Sequence, residues 1–192
     1  MIKLTLQSIR QIIVWTLIAG LAYPVVVTLI AQAALKDKAD GSILVSGTNE
    51  VGSALLAQQF TGSNYFWPRP SSGTYTTLPS SASNLGPTSG QLKTNAQSNA
   101  DSLRAAHGGD SNAPVPAELL FASGSGVDPH ITPEAALYQV KRVAKARNLS
   151  EDQLMQLVNK LVEPPQFGIL GEARVNVLQL NLALDREFAP KT

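Results

Sequence analysis

Residues 11–35 read QIIVWTLIAGLAYPVVVTLIAQAAL, 25 positions without one Asp, Glu, Lys or Arg. At about 1.5 Å of rise per residue, a helix over this stretch is about 37 Å long, enough to cross a hydrocarbon core of about 30 Å with some tilt. The reading is a single transmembrane helix at 11–35, and it decides which solvent the rest of the chain meets. Lys3, Arg10 and the amino terminus precede the stretch, while Lys36 and Lys38 follow it beside Asp37 and Asp40. By the positive-inside rule this small bias assigns residues 1–10 to a short cytoplasmic tail and residues 36–192 to an extracytoplasmic domain. Pro24 falls mid-span, where its missing N–H and its ring predict a kink that neighbouring helices can accommodate. Ala31-Gln32-Ala33 also fits the small-x-small pattern of a signal-peptidase site, and cleavage at Ala33 would release a secreted binding module. Against that, the apolar core of residues 12–30 exceeds the roughly 7 to 15 residues usual for a signal.

Beyond the span, residues 37–192 carry 12 Lys+Arg and 14 Asp+Glu, a net charge of −2. No basic patch is evident, which argues against nucleic acid as a partner. Cys is absent, so thiolate catalysis, thiolate metal sites and disulfides are excluded together. The remaining length suits one compact domain.

Residues 43–45, Ile-Leu-Val between Gly41 and Gly47, predict a short strand, and residues 51–60 a short helix. Residues 71–116 are rich in Ser, Thr, Asn, Gly and Pro and predict a long loop around one helix at 91–106, where Leu92, Ala96, Ala100 and Leu103 share a face. Thr132, Pro133 and Glu134 start a further helix with an apolar stripe of Leu137, Val140, Val143 and Ala144. Its cations Lys141, Arg142, Lys145 and Arg147 read as a solvated face matched to the helix dipole, with a ligand face as the alternative. Ser150 and Gln153 form a capping box for a helix that Pro164 and Pro165 end. In 174–185, Leu178, Leu180, Leu182 and Leu184 alternate with Gln179, Asn181 and Ala183, a half-buried strand pattern whose phase slips at Val177 and Leu178. The fold class is α+β: one membrane helix, then one mixed domain.

Few constellations carry chemistry. Ser123, Ser125, Asp128 and His130 fall within eight residues, so a cell-surface serine hydrolase using Ser125, Asp128 and His130 is the rival from another class. The string fails the G-x-S-x-G elbow, and triads are normally assembled from distant parts of a chain. Asp128 and His130 alone fall short of a metal site. No phosphate-binding loop is present. Thr88-Ser89-Gly90-Gln91 is faintly similar to the end of the signature sequence of ABC-type ATPases, but Thr88 with Gln91 is read as a capping box. The run 60–70 holds Phe60, Tyr65, Phe66, Trp67 and Arg69 with two prolines. It reads equally as a set of interface anchors or as core aromatics beside a stiffened turn.

Several blocks carry a family likeness. These are Gly52-Ser53-Ala54-Leu55-Leu56-Ala57-Gln58-Gln59-Phe60, then Phe60-Thr61-Gly62-x-x-Tyr65-Phe66-x-x-Arg69-Pro70-Ser71, then Ser83-Asn84-Leu85. They continue with Ala122-Ser123-Gly124-Ser125-Gly126-Val127-Asp128, Ile131-Thr132-Pro133, Arg142-Val143-Ala144-Lys145-Ala146-Arg147-Asn148-Leu149 and Leu180-Asn181-Leu182-Ala183-Leu184-Asp185. In this order, after one span with a Tyr23-Pro24 pair, the chain closely resembles the C subunit of the Kdp potassium-transporting ATPase. The resemblance implies a bacterial inner-membrane complex. In it a channel-like A subunit selects potassium, a P-type ATPase B subunit hydrolyses ATP and a small F subunit assists. It also implies that this chain is a non-catalytic accessory subunit, one that stabilises assembly and has been described as a catalytic chaperone raising the ATP affinity of the B subunit. Gln91 is then the carry-over candidate for nucleotide, and Tyr65, Phe66, Trp67, Arg69 and Pro24 are the candidates for partner contact. Pro129-His130 departs from the family pattern, so His130 receives no role.

Overall fold

The uncharged stretch folds as helix, but the helix is longer than the stretch. In the computed structural model, which describes residues 2–108 and 114–189, helix α1 (Ile2–Trp15) passes into a π-helical segment (Thr16–Ala22) and then α2 (Tyr23–Ala34). The whole run of 33 residues, Ile2–Ala34, has no buried residue. It therefore takes in Lys3 and Arg10, ahead of the uncharged stretch. The π segment sits just before Pro24, and Tyr23 N–H donates to Ile18 O, five residues back. A proline ring clashes with the carbonyl four residues earlier, and a widened turn relieves that clash without breaking the helix. The parts of the sequence expectations that fall on Met1, 109–113 and 190–192 lie outside the described residues.

A short helix α3 (Lys36–Ala39) caps the span, with Lys36 Nζ 2.5 Å from Asp40 Oδ2. The antiparallel hairpin of β1 (Ile43–Ser46) and β2 (Asn49–Ser53) comes next. The strand expected at 43–45 is present. The helix expected at 51–60 is not: β2 occupies its first residues, and a turn and open chain the remainder. Gly52 lies at φ +146°, outside helical space, and a Cβ there would meet Gln58 Nε2 at 1.8 Å. That Gln58 amide donates to Val51 O (2.8 Å), so the local apolar residues close on the hairpin instead of winding up.

After the long polar loop comes α4 (Gly90–Ala106), as expected at 91–106. Its N-cap is Ser89, whose hydroxyl accepts from Leu92 N–H, and not Thr88. A second pair of strands, β3 (His130–Ile131) and β4 (Val175–Asn176), is antiparallel and brackets α5 (Pro133–Arg147) and α6 (Glu151–Lys160). Both helix starts obey their sequence signals. Thr132 Oγ1 accepts from Ala135 N–H, and Ser150 and Gln153 form the reciprocal box.

The last helix corrects the strand reading of 174–185. Only Val175 and Asn176 are strand; α7 (Val177–Glu187) begins where the phase slips, with Asn176 as its N-cap. Val177, Leu180, Asn181 and Leu184 are buried at helical spacing. Helix α6 packs on α5 and α7, and the core gathers Ile131, Val143, Leu154, Val158, Val175 and Leu184. Each such side chain contributes about 1.5–3 kcal/mol by leaving water. Helices α5 and α7, held by this core, position the segment 60–70.

Candidate functional site

The run 60–70 has no regular secondary structure, yet its backbone is held as firmly as a strand. Asn181 of α7 accepts from Phe66 N–H (2.9 Å) and donates to Phe66 O (2.9 Å). Gln139 of α5 does the same one residue on, accepting from Trp67 N–H (2.7 Å) and donating to Trp67 O (3.0 Å). Two carboxamides thus replace a neighbouring strand. Both are almost fully buried, at 1% and 0% exposure, which such pairing permits because each polar atom is satisfied.

Two arginines of α5 fix the turn that precedes this segment. Arg142 is buried and donates through Nη1 to Ser63 O (2.7 Å) and Tyr65 O (2.9 Å), and through Nη2 to Gln139 Oε1 (2.7 Å). Its guanidinium lies 4.0 Å from the Trp67 ring centroid, and Nε donates to His107 Nε2 (3.3 Å). Among the described residues no carboxylate pairs with it. Its charge is balanced by carbonyl dipoles and a ring face, and burial lowers its pKa to about 10. His107 must then be neutral, with Nε2 accepting and Nδ1–H donating to Leu103 O (2.6 Å). Burial first, and Arg142 as well, lower the His107 pKa.

Arg147 stacks over Tyr65 (4.8 Å), donates to Asn64 O (2.7 Å) and pairs with Asp185 (2.6 Å). Tyr65 O–H donates to the other oxygen of that carboxylate (3.0 Å). The solvated-face reading of the α5 cations therefore holds for Lys141 and Lys145, which are exposed, and fails for Arg142 and Arg147. The signal that could have found these braces is a polar residue inside an apolar stripe: Gln139 is four residues after Ala135, and Asn181 four after Val177.

Of the sequence candidates, Phe66 is fully buried in the core, Tyr65 and Trp67 are half-buried under the arginines, and Pro24 stands apart in the exposed span. Arg69 turns the other way, with Nη1 3.2 Å from Asp128 Oδ2. Beside the run, an open groove of about 360 Å³ is lined by Phe60, Trp67, Tyr75, Asn99, Leu103 and Leu119. Tyr75 O–H donates to Arg69 O, and burial pushes its phenol up to about 12, so at neutral pH the groove offers apolar surface and no acid or base.

The serine, aspartate and histidine cluster does not form a relay. Asp128 is shared between Arg69 and His130 (Nδ1 3.5 Å), and the His130 hydrogen bond holds its carboxyl below the usual range. Ser125 Oγ instead accepts from Val127 N–H (3.1 Å), and Ser123 is buried. Among the described residues, no group of three His, Cys, Asp or Glu side chains is placed to hold a metal. Gln91 sits exposed in the first turn of α4 and donates to Asn95 (2.6 Å).

A family model described as "KdpC: K+-transporting ATPase, c chain" matches residues 5–186. The chain belongs to the KdpC family. It is 50% identical over 175 residues to the potassium-transporting ATPase KdpC subunit of Paraburkholderia phytofirmans, across 90% of this chain and 91% of the relative. The Myxococcus xanthus KdpC subunit is 47% identical over 188 residues, across 96% and 89% of the two chains. That of Methylococcus capsulatus is 48% identical over 181 residues, across 93% and 95%. As a KdpC subunit the chain is a non-catalytic member of the Kdp P-type ATPase, a potassium-transporting membrane complex. The KdpC match includes both the apolar helix and the arginine-braced segment.

Proposed function

We propose that this chain is the assembly subunit of its potassium pump. Residues 11–35 lie in lipid and pack against helices of the channel-like A subunit. Residues 36–192 sit outside the cytoplasm and dock there, holding the A subunit, the ATPase B subunit and the small F subunit together in the inner membrane. The observation that carries this reading is the helix Ile2–Ala34, long and apolar enough to cross a bilayer yet touched nowhere by the chain's own core. Surface of that kind is stable only against lipid or other helices. The arginine-braced segment supports the same reading, since the backbone groups of Phe66 and Trp67 are consumed within the fold and the cleft beside it offers no acid or base to a substrate.

Any rise in the ATP affinity of the B subunit, the catalytic-chaperone role, is then exerted through subunit contact and not through a phosphate site of this chain. Gln91→Ala should leave the ATP concentration dependence of the complex unchanged. A severalfold weakening would assign Gln91 to the nucleotide. Removing residues 2–36 should give a soluble domain that no longer co-purifies with the other subunits, and undiminished assembly refutes the anchoring role. Protease added to right-side-out vesicles should reach the C-terminal domain; cleavage only in inverted vesicles would reverse the topology.

A further inference from the structure

Outside the membrane helix, and Leu78 apart, the two most exposed large apolar side chains among the described residues, Phe167 and Ile169, stand together on one turn with Leu170 beside them. Phe167 is 83% exposed, Ile169 82% and Leu170 55%, in the segment Pro164-Pro165-Gln166-Phe167-Gly168-Ile169-Leu170. This turn is built and not loose. At its base Glu163 and Arg174 exchange both backbone hydrogen bonds (2.8 and 3.0 Å), and their side chains pair at 2.9 Å. Closer to the tip, Gln166 and Leu170 form a second bridge, with bonds of 2.8 and 2.9 Å. Phe167 is at φ +56° and Gly168 at φ +78°. A left-handed backbone is unfavourable for a bulky residue, and here it aims an aromatic ring into solvent. Within the isolated chain neither the strain nor the exposed apolar surface is compensated.

The surroundings decide between two occupants. Residues 164–171 carry no charge, Arg174 is paired with Glu163, and Lys160 is paired with Glu187. Glu172 is left as the nearest charge in sequence with no ion-pair partner among the described residues, so the rim formed by residues 163–174 carries a net charge of −1. An anionic lipid surface attracts basic rims and repels this one. A protein pocket with an apolar floor and a basic edge is complementary to it.

We propose that the 164–170 turn is a docking tip that inserts Phe167 and Ile169 into an apolar, basic-rimmed pocket on another subunit of the pump. This rests on the assembly reading above and adds the contact surface to it. A benzophenone-bearing amino acid at position 167, irradiated in native membranes holding the whole complex, should cross-link to another pump subunit. Phe167→Asp with Ile169→Asp should lower the amount of this chain retained on the washed, detergent-purified complex about tenfold or more. The melting temperature of the purified full-length chain should not move. Cross-links to lipid alone, no cross-link, or wild-type retention of the double variant would each overturn the tip, even where removal of residues 2–36 still abolishes assembly. If the double variant does not fold, the cross-link partner decides. A wild-type chain that fails to co-purify overturns both readings.

Discussion

Two stretches of this molecule dispose of their aromatic side chains in opposite ways. The segment 60–70 has the aromatic and arginine content of an interface, yet Phe66 is fully buried and Asn181, Gln139 and Arg142 bond its backbone. The turn 164–170 has one aromatic and no charge, yet Phe167 and Ile169 stand in water. The difference lies in who satisfies the backbone. A loop braced by buried side chains of two helices becomes part of the core, whereas a turn that closes its hydrogen bonds on itself is free to project.

The contrast breaks most severely at Arg142. Arg142→Ala strands the carbonyls of Ser63 and Tyr65 and should cost about 4 kcal/mol, read as a fall in the denaturation midpoint of the purified chain. Arg142→Lys should recover less than half, because one ammonium cannot reach the same fork of acceptors. Next is Asn181→Leu, which leaves Phe66 N–H and C=O without partners inside the core; about 2–3 kcal/mol should be lost. A smaller effect comes from pH. The His107 pKa is lowered in the fold from its usual 6.5, so the unfolded chain binds the proton first as pH falls. Its contribution is intact above about pH 6.5 and is lost as pH drops toward the folded value. Denaturation midpoints at pH 7 should therefore exceed those at pH 5, and His107→Asn should reduce that slope. Smallest of all, Phe167→Ala should change the stability of the chain alone by no more than about 0.5 kcal/mol. A larger loss would mean that the turn is packed after all.

Capping chemistry makes much of the fold legible. Thr132-Pro133 and Ser150-Gln153 each mark a helix start through side-chain oxygens that accept backbone N–H groups, a local effect that no distant residue overrides. The sequence misleads at two places where the local pattern is ambiguous. Leucines alternating through 178–184 satisfy period two, but they also leave Leu180 and Leu184 on the helical face of Val177, and the N-cap at Asn176 settles the choice. At 51–60 the apolar content favours a helix while Gly52 needs a backbone that helices lack. The site is less legible than the fold. Arg142 reads as surface, and Gln139 gives no signal, because nothing local shows that residues 63–67, some 70 or more positions earlier, would lie against them. The turn at 164–170 reads only as a helix stop, since its prolines end one element without specifying the shape of the next.

The hairpin after the membrane helix has a consequence for how tightly any second contact needs to hold. Ser53 Oγ–H donates to Gly41 O (2.6 Å), Ala54 N–H to Ser42 O (2.9 Å), and Asn176 Nδ2–H to Ala54 O (2.7 Å). These bonds take up the slack between the lipid-embedded segment and the final helix. A tether this short keeps the domain at high effective concentration beside whatever the first helix has already joined. An attachment too feeble to survive between free molecules in solution can then persist, because its two halves never diffuse apart.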